Sequence, residues 1–253
     1  MKKIICFLIP ALFLLPFLHA QDESKANKNI ERTGNGKNLV KLNFFALVFK
    51  NVTVQYEREI GKKSTIALNL RLMPKGGLPF KSSFRDAIND PNTKNQVDNF
   101  KTGNFAFTPE IRFYLGRKGA YHGFYIAPFV SYARYTAELP YIYDDNGTDK
   151  TIPLSGSLNT YTGGLLFGSQ WKIGKSVYLD WWIFGPHYGS SKGSLEGNQS
   201  LSQSEQTALK SNLDDFDIPL VTTTNTVDAN GATLSFKGPW AGIRSGFCIG
   251  IRF

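Results

Sequence analysis

Apolar and polar side chains alternate with a period of two through much of the chain beyond residue 38. The pattern is plainest over 240–253, where Ala241, Ile243, Phe247, Ile249, Ile251 and Phe253 share one face while Gly242, Arg244, Gly246, Gly250 and Arg252 share the other. Successive side chains of a strand point to opposite sides, so this segment has one oily wall and one small or charged wall. A strand with lipid on one side and a polar lumen on the other carries that signature. Seven further runs of strand character precede it, over 39–49, 52–60, 65–73, 104–115, 123–138, 158–173 and 177–188. In the fourth of these, Phe105, Phe107, Ile111 and Phe113 stand against Ala106, Thr108, Glu110 and Arg112.

Short turns alternate with long connections between these runs, which is the organisation of a barrel with tight turns at one end and loops at the other. No segment beyond residue 20 holds the roughly 18 consecutive apolar residues of a membrane helix. Only a closed barrel then pairs every backbone polar group within lipid. The expected fold is all-β: an eight-stranded antiparallel transmembrane β-barrel over 38–253 with long extracellular loops.

Two segments stand apart from it. Lys2 and Lys3 precede an apolar run over 4–20 that gives way to Gln21-Asp22-Glu23, the pattern of a signal peptide at 1–20. Residues 21–37 are polar and charged and read as a flexible periplasmic lead-in. Removing Lys2 and Lys3 lowers the formal charge from +9 to about +7, and Cys248 becomes the one remaining cysteine, so no intrachain disulfide is expected.

Strand parity places Lys41, Asn43, Gln55, Glu57, Asn69, Arg71, Glu110, Arg112, Asp180, Arg244 and Arg252 inside the barrel. An eight-stranded barrel is just wide enough to be filled by its own side chains. Charges in such a core are tolerated only when paired or hydrogen-bonded, which predicts an interior polar network and a plugged lumen. Outside it, Tyr56, Tyr114, Tyr121, Tyr125, Trp171, Tyr178, Trp181 and Trp240 fall near strand ends and are expected at the headgroup level.

The positive balance is uneven along the chain. Lys62 and Lys63, Arg117 and Lys118, and Lys172 and Lys175 crowd the short turns, whereas the loops around 139–155 and 190–237 are acidic, with Asp144, Asp145, Glu196, Glu205 and Asp214 among them. A basic rim suits anionic headgroups, so the expected partners are outer-membrane lipids and lipopolysaccharide, with no nucleic acid. Within the last loop, 201–216 has helical spacing, with Leu201, Ala208, Leu209, Leu213 and Phe216 on one face and Ser202 or Ser204 available as a cap.

Once the leader is removed, His122 and His187 are the only histidines, which excludes a multi-histidine metal site. No phosphate-cradling glycine loop is present either, so no metal and no cofactor are expected. His187 is the one candidate catalytic residue: parity within 177–188 places it on the lipid side near the outer surface, with Ser191 further along the same face and Glu138 or Glu196 available to orient it. The reaction would be hydrolysis of lipid A or phospholipid.

The chain resembles a Bacteroidetes-type family of small outer-membrane barrels of unknown function, OmpA/OmpX-like and eight-stranded. The resemblance is carried by Lys41-Leu42-Asn43, by Val54-Gln55-Tyr56-Glu57-Arg58, by Thr108-Pro109-Glu110-Ile111-Arg112-Phe113-Tyr114, by Gly123-Phe124-Tyr125-Ile126-Ala127-Pro128, and by Asp180-Trp181-Trp182 through Gly185-Pro186-His187-Tyr188-Gly189. It implies an outer-membrane barrel and supplies no activity. Phe253 resembles the insertion signal read by the outer-membrane insertion machinery. The expected function is non-enzymatic, a structural or surface-interaction role with an unknown surface ligand. The alternatives are a lipid hydrolase using His187 and a narrow channel.

Overall fold

The structure, a computed structural model, describes residues 36–215 and 218–253. The segment expected to be a leader at 1–20, the expected lead-in up to residue 35, and Phe216 lie outside the described residues. The chain begins with β1 (Asn38–Asn43) and a single helical turn α1 (Phe44–Leu47), followed by β2 (Val52–Gly61) and β3 (Ser64–Gly77). Two short helices, α2 (Lys81–Asp86) and α3 (Pro91–Asn99), lead into β4 (Lys101–Tyr114) and the long strands β5 (Gly123–Asp145), β6 (Thr148–Lys172) and β7 (Val177–Asn198). Then come α4 (Gln203–Asp214), β8 (Thr222–Asp228) and β9 (Gly231–Arg252).

Every strand pairs antiparallel with its sequence neighbour from β1 to β7, and β7 pairs with β9. β9 returns to β1, with Leu39 opposite Arg252 and Asn43 opposite Cys248, and so closes a ring of eight strands. β8 stands outside the ring, hydrogen-bonded along the upper part of β9 from Thr222 opposite Lys237 to Asp228 opposite Gly231.

Alternation sets the two faces. Along β2, Thr53, Gln55 and Glu57 are buried while Val52, Val54 and Tyr56 are exposed. Exposed apolar side chains continue around the outside, including Ile66, Leu70, Phe107, Ile111, Leu165, Phe184, Ile243 and Ile249.

Two strand boundaries differ from the sequence pattern. The first run stops at Asn43 instead of continuing to Phe49: the Asn43 side chain accepts the Ala46 N–H at 3.1 Å and caps α1. Phe44 turns onto Phe247 of β9, with ring centroids 6.2 Å apart, and takes up space along β9 where β1 would have run on. At the other end β5, β6, β7 and β9 run well past the apolar band, so much of 139–155 and 190–237 is ladder. The β5–β6 hairpin closes on Asn146-Gly147, both with positive φ, the two-residue turn whose twist suits a hairpin.

This extension has its own core. Leu201, Leu209 and Leu213 are buried with Tyr143, Ile152, Leu154, Ala232 and Leu234, so α4 packs on the lumen-side face of the extended wall. The start of α4 is a reciprocal capping box, in which the Glu205 N–H donates to the Ser202 hydroxyl at 3.3 Å and the Ser202 N–H donates to the Glu205 carboxylate at 2.9 Å. That backbone donor from Ser202 holds the Glu205 carboxyl below the usual carboxylate range. Leu213→Ala is expected to cost this second core about 2–5 kcal/mol. Amide hydrogen exchange checks it: protection over 203–214 should fall while β1 to β4 keep theirs, and an unchanged α4 would show that this core does not hold the helix.

Candidate functional site

The ring brings inward-facing polar side chains from six strands to one level of the lumen. β1 supplies Lys41, β2 supplies Gln55 and Glu57, β4 supplies Glu110, Arg112 and Tyr114, β5 supplies Tyr125, β6 supplies Gln170 and β7 supplies Asp180. Arg112, Glu57 and Asp180 have no exposed surface at all, so whatever neutralises these charges is the protein itself.

Arg112 is the hub. Its Nε donates to Glu110 at 2.6 Å, its Nη1 to Asp180 at 2.7 Å, Gln170 at 3.2 Å and Glu57 at 3.3 Å, and its Nη2 to Gln55 at 2.8 Å. The guanidinium also lies 4.4 Å above the Tyr125 ring. Lys41 Nζ donates to Asp180 at 2.6 Å and to Glu57. Glu57 takes two further hydroxyl donors, Thr65 at 2.6 Å and Tyr114 at 2.7 Å. Asp180 takes the Tyr125 hydroxyl at 2.8 Å and the Trp182 indole N–H at 3.0 Å. Arg244 joins through the second oxygen of Glu110 and stacks 4.2 Å from the Trp182 ring.

The cluster therefore balances Lys41, Arg112 and Arg244 against Glu57, Glu110 and Asp180. Charge-assisted bonds to every carboxylate offset the cost of taking the ions out of water. The result is a neutral, cross-braced plug that ties β1, β2, β4, β6, β7 and β9 together through side chains.

Arg252 and Arg71 lie apart from the hub. Arg252, near the short turns, donates to Glu59 at 3.0 Å and to the Tyr178 hydroxyl at 3.2 Å. Arg71, nearer the long loops, donates to the Tyr135 hydroxyl at 3.2 Å. Asn43 caps α1 as described. Phe253 is exposed beside β1, where its N–H donates to the Asn38 carbonyl at 2.9 Å. The sequence reading missed Gln170, Thr65, Tyr114, Tyr125 and Trp182 as partners. Tyr114 was legible in principle, two residues after Arg112 on the same strand face. Tyr114, Tyr121, Tyr125 and Tyr178 are corrected from the headgroup level to the interior, where they form a buried aromatic layer of which Tyr114 and Tyr125 also donate into the plug.

His187 is also corrected. A register shift between Trp182 and Gly185 reverses the parity of β7, so His187 faces inward, not toward the outside. Its ring packs 6.1 Å from buried Phe129, and a side chain on Gly242 would collide with it. Ser191 is buried on the same inward face and donates to the Gly238 carbonyl at 3.2 Å, while Glu138 pairs with Lys75. These contacts do not join the three into a nucleophile, base and orienting acid. Among the described residues no group of three or more His, Cys, Asp or Glu side chains is placed to hold a metal ion.

Residues 14–185 match the model of a family described as a protein of unknown function, DUF3575. No curated protein matches the chain. Among solved structures, the translocator domain of autotransporter NalP from Neisseria meningitidis is similar over 88% of this chain and 90% of that one, at 14% identity and a TM-score of 0.34. The eight-stranded ring stands on the strand pairing described above, independently of that likeness.

Removing the hub leaves buried carboxylates without their counter-charge. Arg112→Met is expected to destabilise the barrel by about 3–5 kcal/mol. Urea unfolding of the refolded protein measures this, and a loss below about 1 kcal/mol would show that the cluster is not a buried brace.

Proposed function

We propose that this chain, which belongs to the DUF3575 family of proteins of unknown function, is a sealed outer-membrane β-barrel with a non-enzymatic structural and surface-interaction role. The observation that carries the reading is the fully buried ionic plug, in which Arg112 ties together carboxylates and amides from four strands. A lumen filled at that level leaves no path for solutes.

The outside supports the membrane assignment. Apolar side chains such as Ile111, Phe113, Val130, Leu165, Phe184 and Ile243 are exposed on adjacent strands from β4 through β7 to β9, an arrangement whose natural solvent is lipid. The cationic turns at Lys62, Lys63, Arg117, Lys118, Lys172 and Lys175 suit an anionic inner-leaflet surface. At the opposite end the extended strands and α4 form a braced wall, rigid enough to present a surface to a ligand outside the cell. Partners are the surrounding lipids, lipopolysaccharide, the insertion machinery and a surface ligand.

The hydrolase alternative loses its premise with His187 turned inward beside Phe129. A narrow channel is the reading to test against. Refolded protein in planar bilayers is expected to show no stepwise conductance, and reproducible ion steps from the wild type would overturn the sealed reading. Recovery of the folded chain in water without detergent would overturn the membrane reading itself.

A further inference from the structure

Above the apolar band, the outward face of the extended wall carries three cations in a single register row. Arg134 of β5 lies opposite Asn159 of β6, Asn159 opposite Lys192 of β7, Lys192 opposite Lys237 of β9, and Lys237 opposite Thr222 of β8. Neighbouring strands are about 4.8 Å apart, so Arg134 and Lys237 stand about 14 Å from one another. None of the three forms an ion pair among the described residues, and the nearest acid along β7, Glu196, lies four residues beyond Lys192. Like charges directly opposite each other destabilise a sheet, so Lys192 facing Lys237 is a cost that an anionic ligand would relieve.

The adjoining row consists of hydroxyls. Ser157, Ser194, Ser235 and Thr224 lie opposite one another in turn across β6, β7, β9 and β8. Lys192 and Lys237 of the first row and all four hydroxyls of the second line one concavity of about 570 Å³ together with Tyr161. Arg134 flanks it across Asn159, where its Nη2 donates to the Ser157 hydroxyl at 3.3 Å. Directly below on the same outward face come Leu165, Phe167, Tyr188 and Ile243, all exposed. The concavity therefore begins where the apolar band ends.

We propose that this concavity binds the phosphorylated sugar headgroup of an outer-leaflet glycolipid, with Arg134, Lys192 and Lys237 on the phosphates and the hydroxyl row on the sugar. The assignment rests on the outer-membrane reading. It prefers a membrane-anchored ligand because acyl chains of a headgroup held here lie against the exposed Leu165 and Ile243. It prefers a sugar phosphate to a phospholipid because four aligned hydroxyls match a polyol.

The test is calorimetric titration of the full refolded chain in detergent micelles with bisphosphorylated lipid A, monophosphorylated lipid A, phosphatidylglycerol and inorganic phosphate in turn. Bisphosphorylated lipid A is expected to bind tightest. Each lost cation should weaken it about fivefold, so Lys192→Gln shows a small loss and the triple variant Arg134→Gln, Lys192→Gln, Lys237→Gln about a hundredfold loss. Lys62→Gln with Lys63→Gln, at the opposite rim, should change nothing. Equal binding by the wild type and Lys192→Gln, or phosphatidylglycerol binding as tightly as lipid A, overturns the site. A heat-shifted electrophoretic mobility typical of a folded barrel, seen alongside that failure, leaves the outer-membrane reading standing. Its absence from the wild type overturns both.

Discussion

Everything in this molecule is arranged around one constraint: an eight-stranded ring encloses a space too narrow for bulk water, yet the sequence places full charges inside it. The charges are tolerable because they balance three against three and every carboxylate is bonded, although Gln170 Nε2 and Arg244 Nη2 are left without a hydrogen-bond partner among the described residues. Arg112 uses all three of its guanidinium nitrogens, Glu57 and Asp180 each take donors from several strands, and Lys41 bridges the two acids. A half-satisfied version of this network would be worse than an apolar core. Because its members come from strands far apart in sequence, the cluster also selects the register of the whole ring. A slip by one residue would turn Arg112 and Glu57 toward the apolar outside.

The same closure explains the irregular corner between β9 and β1. β1 pairs with β9 only as far as Asn43 opposite Cys248, and β8 takes up the earlier part of β9, from Gly231 to Lys237. Between these points α1 packs its Phe44 onto Phe247. An apolar helical turn beside an interrupted seam keeps the outer surface oily where the ladder is missing, and its own backbone is partly paired through the Asn43 cap and the turn that follows.

The ring was legible from the sequence because one face of each strand is lipid-like and the other polar, which leaves a period-two signal over eight segments. The extended wall was not. Its outward face is polar, with Ser155, Ser157, Ser190, Ser194 and Thr233, and Gly156, Gly189, Gly193 and Gly197 interrupt the apolar positions of its inward face, so the alternation is broken and reversed relative to the lipid band. The one local signal there was Asn146-Gly147 at the hairpin tip, with Asp144 accepting the Gly147 N–H at 2.8 Å. The basic row was invisible for a related reason: Arg134, Lys192 and Lys237 are scattered in sequence and meet only through register. His187 was misplaced because one irregularity between Trp182 and Gly185 shifts parity for the rest of β7, and nothing in the local composition announces it. Within the lumen, the charged members of the cluster were readable by parity, whereas the neutral ones, Gln170, Tyr125 and Thr65, gave no reason to be singled out until their partners were placed.

A chain with an oily exterior and a filled polar interior has a direct spectroscopic signature along a single strand. In a Cys248→Ala background, spin labels placed one at a time through β4 in lipid vesicles report collisions with lipid-soluble oxygen and with a water-soluble nickel chelate. The account predicts oxygen maxima at Phe105, Phe107, Ile111 and Phe113, minima at Ala106, Thr108, Glu110 and Arg112, and little nickel contact at the inward positions. Nickel contact at every position, or an oxygen profile with no period of two, would contradict it.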